Sequence, residues 1–239
     1  MNATVAFFRP DDERATEAEA LLSDFGVEPL SDPMLRIDPT EATPRSDSDY
    51  TVLTSKTGAE LVSETGFDPA GELIAIGAPT AEAIEAAGYT VDRLPPEFSS
   101  SGLVDELAGD APGARIEIAR SDHGSDVLLE GLNDAGAYVH ETVLYRLIRP
   151  PRAGRSTVAA AERSLSGACF TSSLTVEHFL EAAADRGLRG EAIEGLNEAV
   201  VGAIGDPTRE TAERHGIDVD VVPDTAEFEA LAAAVVDRL

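Results

Sequence analysis

Hydrophobic and polar positions fall into a repeating order along the chain. Short apolar runs are each followed by a polar turn and then by a stretch in which apolar residues recur every three or four positions. VAFF (5–8) leads into a helix expected from about Thr16 to Phe25, with Thr16 and Glu19 as a capping box and Gly26 as its stop. RIEIA (115–119) leads through Arg120 and a polar loop into the helix SDVLLEGLNDAG, closed by Gly136, and on to the strand YVHETVLY (138–145). A second kind of unit starts at YTVLTS (50–55), which runs into TGAELVSETG, and at ACFTSS (168–173), which runs into TVEHFLEAAADRG.

After each of these comes a stretch that occurs twice. IGAPTAEAIEAAGYTVDRLP (76–95) and IGDPTRETAERHGIDVDVVP (204–223) lie 128 positions apart and share ten of twenty residues. Both read as an apolar strand ending in Gly-x-Pro-Thr, a helix stopped by Gly88 or Gly216, a strand with Val-Asp, a proline and a last helix.

Strands alternating with helices at this spacing predict right-handed crossovers, hence parallel sheets with helices on both faces. The fold class is α/β: two parallel sheets, each with helices on both faces, the second repeating the plan of the first. The four units can pair in chain order, or the middle two can form one domain while the outer two form the other. The segments 32–46 and 146–156, rich in Pro and Arg, mark two crossings, and only the interleaved pairing needs two.

In such sheets ligands sit beyond the carboxyl ends of the strands, where helix N-termini point free amides outward and favour anions. Ser55, Thr80, Ser172 and Thr208 all fall there, each able to cap its own helix or to face a ligand. Asp206 puts a carboxylate inside the second Gly-x-Pro-Thr, so its side chain is expected to turn away from an anion or to cap the helix.

Composition narrows the partners. The 239 residues hold 45 Asp and Glu against 18 Lys and Arg, a formal net charge of -27, and Lys56 is the single lysine. Regular apolar segments and 43% hydrophobic residues argue against disorder. A carboxylate-coated surface suits molar salt, where the Debye length is roughly 3 Å, and an extreme halophile is the expected source. Nucleic acid is excluded as a partner by the scarcity of cations, and a membrane by the lack of a long apolar run. The N-terminus lacks the pattern of a signal peptide, which points to the cytoplasm.

Catalytic signatures are sparse. Cys169 stands alone inside an apolar strand and reads as core, so neither an internal disulfide nor structural zinc is expected. No Walker lysine motif and no Gly-x-Gly-x-x-Gly support a nucleotide cofactor, and His123, His140, His178 and His215 are scattered. Ligand-gripping strand ends without an evident nucleophile fit chemistry that mostly needs positioning.

TSKTGAEL and FTSSLTVEHFL, each followed by an Ile-Gly-x-Pro-Thr, together with Arg9-Pro10, the SSSGLVDEL helix, the Arg120 strand-helix unit and VLYR (143–146), resemble uroporphyrinogen-III synthase over essentially the whole chain. The resemblance implies two doubly wound, flavodoxin-like parallel-sheet domains, duplicated and interleaved, with a two-stranded linker: 1–37 with 152–239 as one domain, 40–148 as the other, and crossings near 36–46 and 146–156. It implies cyclisation of hydroxymethylbilane to uroporphyrinogen III with inversion of the last ring and loss of water, without metal or organic cofactor. The substrate is a linear tetrapyrrole bearing eight carboxylates, expected to be gripped from both domains of a self-sufficient monomer. Tyr145 matches the family tyrosine proposed to help the hydroxyl leave, a role open to an ordinary phenol, which is protonated at neutral pH. Ser55, Thr80, Ser172 and Thr208 match positions lining the family's cleft, and Arg9, Arg120 and Arg146 are candidates for carboxylate pairing. On the residues alone, a non-catalytic two-domain binding protein or sensor for a small anionic metabolite is the alternative.

Overall fold

The computed structural model describes residues 2–239. In chain order the elements are β1 (Thr4–Phe7), α1 (Glu13–Asp24), β2 (Glu28–Ser31), β3 (Arg36–Pro39), β4 (Tyr50–Leu53), α2 (Lys56–Ser63), β5 (Glu72–Ala75), α3 (Ala78–Ala86), α4 (Ser100–Leu107), β6 (Arg115–Ser121), α5 (Asp126–Asp134) and β7 (Tyr138–Ile148). There follow α6 (Arg155–Ala161), β8 (Gly167–Phe170), α7 (Ser173–Ala184), α8 (Arg189–Leu196), β9 (Val200–Ala203), α9 (Asp206–Arg214) and α10 (Phe228–Val236).

Two compact units result, one holding the chain up to Arg36 with Ile148–Leu239, the other Ile37–Leu147. The first is built on a sheet of order β2-β1-β8-β9, parallel throughout, so it draws strands from both ends of the chain. The second has the order β3-β7-β6-β4-β5, with the β7, β6, β4 and β5 pairings parallel.

Each sheet is covered on both faces, as buried strands such as β1, β4, β8 and β9 require. In the first unit, Phe8, Phe170 and Phe179 anchor the face under α7 and α8, with the Phe8 and Phe170 rings stacked 4.5 Å apart. The other face packs Leu22 of α1 and Leu231 of α10 over Val5 and Phe7. In the second unit α2 and α3 cover Leu53, Ala75 and Ala119, while α4 and α5 cover Val52, Ile74 and Ile118.

Two expectations are corrected. Helix α1 begins at Glu13, because the Asp12 carboxylate accepts the Arg14 amide and caps it; Thr16 is inside the helix, and the Thr16/Glu19 box does not form. The two Val-Asp segments are not strands but single bridges, Ile74 to Arg93 and Gly202 to Val221. Their aspartates are the reason. Asp92 N donates to Leu73 O while Leu73 N donates to the Asp92 carboxylate, both at 2.8 Å, and Asp220 makes the same pair with Val201 at 2.8 Å. A carboxylate thus takes the place of a strand carbonyl and ends the ladder after one step. The helices before these segments stop as expected, at left-handed Gly88 (φ 90°) and Gly216 (φ 83°).

Candidate active site

Because β2, β1, β8 and β9 are parallel in one sheet and β7, β6, β4 and β5 in the other, the carboxyl ends of each set lie along one edge, and the candidate residues follow from that edge. In the second unit β4 leads into Ser55, β5 into the Gly77 turn before Thr80, β6 ends at Arg120 and Ser121, and β7 passes the end of β6 at Tyr145 and Arg146 on its way to Ile148. In the first unit β1 leads out to Arg9, β8 into Ser172 and β9 into the turn before Thr208.

The four hydroxyl residues divide by role. Ser55 caps α2, its Oγ accepting the Gly58 amide at 3.0 Å, and Ser172 caps α7 in a reciprocal box with Thr175, both bonds 3.2 Å. The threonines cap nothing. Helices α3 and α9 start from Gly77 and Gly205, which offer no side chain, and proline follows in the first turn of each. Thr80 and Thr208 stand one position further on, in the first turns of their helices, 4% and 3% exposed.

Tyr145 is brought onto the same group as Ser55. Its hydroxyl donates to Ser55 Oγ at 3.0 Å, and the ring is buried with Leu144 under α2. Gly58 permits this contact, since a Cβ there would stand 3.1 Å from Ser55 Oγ and 3.3 Å from the Leu144 side chain. The Thr-Ser-x-x-Gly pattern is therefore a packing requirement as well as a cap.

The three arginines have different surroundings. Arg120 is 4% exposed, bonded to Glu141 at 2.6 Å and to the Ser125 carbonyl, so its charge is already matched inside the unit. Arg9 lies 5.0 Å over the Phe228 ring in a 360 Å³ pocket between α1 and α10, where burial lowers its pKa from the ordinary arginine value and Glu17, Glu227 and Glu229 oppose an anion. Arg146 is exposed and makes no ion pair among the described residues. Asp206 turns along its own helix to Arg209, 2.9 Å away, and so does not stand as a bare charge at the strand end.

The histidines are not gathered. His123 bonds Asp122 at 2.8 Å, His140 bonds the fully buried Glu117 at 2.7 Å, and His178 bonds the Met34 carbonyl at 2.6 Å. Cys169 is buried, and desolvation pushes its thiol up to about 12. A larger groove of about 740 Å³ runs between α2 and α3, but Glu60, Glu64 and Glu82 against Lys56 make it hostile to anions and leave the strand ends as the candidate site.

One feature of the site that sequence reading missed is in β7. VLY reads as an unbroken strand, yet the register with β6 shifts between Arg120 and Ser121, and no residue in the pattern signals it.

Comparison with known proteins bears on the fold and the family. The family model for uroporphyrinogen-III synthase HemD matches residues 16–233. A protein of Methanothermobacter thermautotrophicus, itself provisionally named a uroporphyrinogen-III synthase, is 30% identical over 248 residues, covering 97% of this chain and 96% of its own. A uroporphyrinogen-III synthase of Synechococcus elongatus is 27% identical over 145 residues, 57% of this chain and 55% of its own. A mutant uroporphyrinogen III synthase from Thermus thermophilus superposes with a TM-score of 0.68 at 20% identity, covering 97% of this chain and 96% of that one. The Helicobacter pylori uroporphyrinogen-III synthetase superposes with a TM-score of 0.66 at 14% identity over the full length of both. At such identities the superpositions speak for the fold, and the family model and curated relatives speak for the kind of enzyme. The chain belongs to the uroporphyrinogen-III synthase family of cyclising lyases in tetrapyrrole biosynthesis.

Proposed function

We propose that the chain closes hydroxymethylbilane to uroporphyrinogen III, inverting the last pyrrole ring and releasing water. The observation that carries this reading is the Tyr145 hydroxyl, held by Ser55 at the carboxyl edge of a parallel sheet beside the N-terminus of α2. In the proposed step Tyr145 gives its proton to the departing hydroxyl of the substrate, which leaves as water. The remaining azafulvenium cation closes unaided to the uninverted isomer I. Isomer III requires attack from the substituted carbon of the last ring, through a spiro intermediate, so orientation decides the product.

Orientation is assigned to the substrate's carboxylates. Thr80 and Thr208, whose hydroxyls no cap engages, are proposed as donors to them beside the N-termini of α3 and α9, and Arg146 as a matching charge. Ser55 and Ser172 present their helices, and Arg9 and Arg120 are proposed to act by shaping their own strand ends, given the partners they already have. The reading extends to a monomer working in a salt-rich cytoplasm, supported by the -27 charge. Among the described residues no helix is long and apolar enough to cross a membrane.

The test is to incubate the purified protein in molar KCl with hydroxymethylbilane generated in situ, oxidise the products and measure the ratio of isomer III to isomer I. Predominant isomer III is expected. Isomer I alone, from protein with a cooperative melt, would overturn the reading and leave an anion-binding sensor.

A further inference from the structure

Along β7 the side chains of His140, Thr142 and Leu144 share one face: the first two bond Glu117, and Leu144 enters the core under α2 and α3. Strict alternation would send Tyr145 to the other face, where Val139 packs with α4 and α5. Tyr145 instead lies in the same cluster as Leu144, followed by Leu147. The pairing with β6 explains it. Arg120 opposes Val143 and the next residue, Ser121, opposes Tyr145, so Leu144 is the extra residue of a bulge. That bulge aims the phenol at Ser55.

Thr40, just after β3 on the edge of β7 away from β6, holds it. Thr40 N donates to Leu144 O at 3.0 Å, and Thr40 Oγ1 shares its one proton between Val143 O at 2.6 Å and Leu144 O at 3.1 Å. The same Oγ1 accepts the Ala42 amide at 3.3 Å, which leaves its proton for the β7 carbonyls. Glu41 between them adopts φ 62°, a left-handed conformation that glutamate seldom takes, so the turn is held against its own preference. On the β6 side, Asp122 N donates to Tyr145 O at 3.2 Å, and Leu147 N donates to Asp122 Oδ1 at 3.0 Å.

We infer that Thr40 is a positioning residue for Tyr145: its hydroxyl locks the bulge and so fixes the direction in which the phenol donates its proton. The inference rests on the reading of Tyr145 as the acid and deepens it. A β-branched side chain suits the task because its χ1 is restricted. Proton transfer in turn needs heavy atoms within hydrogen-bond reach, a tolerance that a relaxed bulge would exceed.

The test compares Thr40→Val, which keeps the shape and removes the donor, with Thr40→Ser, which restores it, each alone and combined with Tyr145→Phe. Rates are measured on hydroxymethylbilane generated in situ, with folding checked by thermal melts. Thr40→Val is expected to lower kcat on the order of 10-fold with KM changed less than about twofold, since misplacement acts on the reacting geometry rather than on binding. Thr40→Ser should recover most of that loss, and Thr40→Val should add nothing once Tyr145 is Phe, because the residue acts through the phenol. A folded Thr40→Val with parental kcat, or losses that multiply in the double variant, would overturn the inference while leaving Tyr145 in place as the acid. Full activity in Tyr145→Phe would remove the acid reading and this inference with it.

Discussion

The Tyr145 hydroxyl donates to Ser55 Oγ, the atom that also accepts the Gly58 amide and starts α2. One serine therefore serves a helix and a candidate acid, and two substitutions separate these services. Tyr145→Phe keeps the ring in its core and leaves the Gly58 cap intact, so the melt should barely move. Its kcat should fall about 10²- to 10⁴-fold, the usual range for a lost acid. Ser55→Ala should cost about 1 kcal/mol of stability for the cap and also lower kcat, because the phenol loses its holder. Melts alongside steady-state rates check both.

Thr80 and Thr208 offer the reverse contrast to Ser172. Neither threonine caps its helix, so Thr80→Val and Thr208→Val, which keep the buried shape, should not show the loss of about 1 kcal/mol that removal of a cap costs. KM for the octacarboxylate should nevertheless rise several-fold in each. Ser172→Ala, by contrast, breaks a reciprocal capping box and should lower stability by about 1 kcal/mol. Denaturant melts read one side and substrate titrations the other.

Asp92 and Asp220 each close a strand ladder with a carboxylate at 2.8 Å from a backbone amide. Replacement by alanine leaves the Leu73 or Val201 amide without its partner, at an expected cost of about 1–3 kcal/mol in each unit. Asparagine keeps an acceptor oxygen in place and should recover much of it. The two sites lie in different units, so the double alanine variant should show the sum of the single losses, which urea unfolding tests directly.

How far the sequence reveals this molecule depends on the range of the interaction concerned. The glycine stops at 26, 88, 136 and 216 were legible because they are local, each a left-handed residue ending a helix. The strand-end hydroxyls were legible because parallel sheets bring all such ends to one edge. The start of α1 was misread since Asp12 and Thr16 are both good caps four residues apart, and nothing local ranks them. Helix α8 was missed because RGEAIEGL has little apolar periodicity and is held by tertiary packing of Ala192 and Leu196. The partner of Arg120 is Glu141 on the next strand, and the grip of Thr40 on β7 spans more than a hundred residues. Such contacts exist only once the sheet has formed, and no spacing rule encodes them.

Cys169 gives a pH test. Burial raises its thiol from an ordinary value near 9.0 to about 12 in the folded chain. A group raised on folding contributes fully below its unfolded value, and its contribution is lost as pH rises from about 9 toward about 12, because only the unfolded chain then releases the proton. The stability of the parent should therefore fall more steeply over that window than that of Cys169→Ala. At pH 8 a thiol reagent should leave the folded protein unmodified and react once denaturant is added.

Charge provides the last prediction. A net -27 opposes both folding and the approach of a substrate with eight carboxylates, and these two repulsions should respond to salt in the same direction. Exposed pairs such as Arg115–Asp47 and Arg163–Glu198 lose strength as salt rises, but pairs of this kind contribute little even in dilute buffer. Screening of the net charge should therefore dominate, with the Debye length shrinking to roughly 3 Å at 1 M. Thermal stability should rise with KCl into the molar range while KM falls. Steady-state assays between about 0.2 and 3 M KCl, on protein shown to be folded at each point, decide the matter. A flat or rising KM would mean that local donors such as Thr80, Thr208 and Arg146 already outweigh the field of the whole surface, and would separate the binding argument from the argument for a salt-rich cytoplasm.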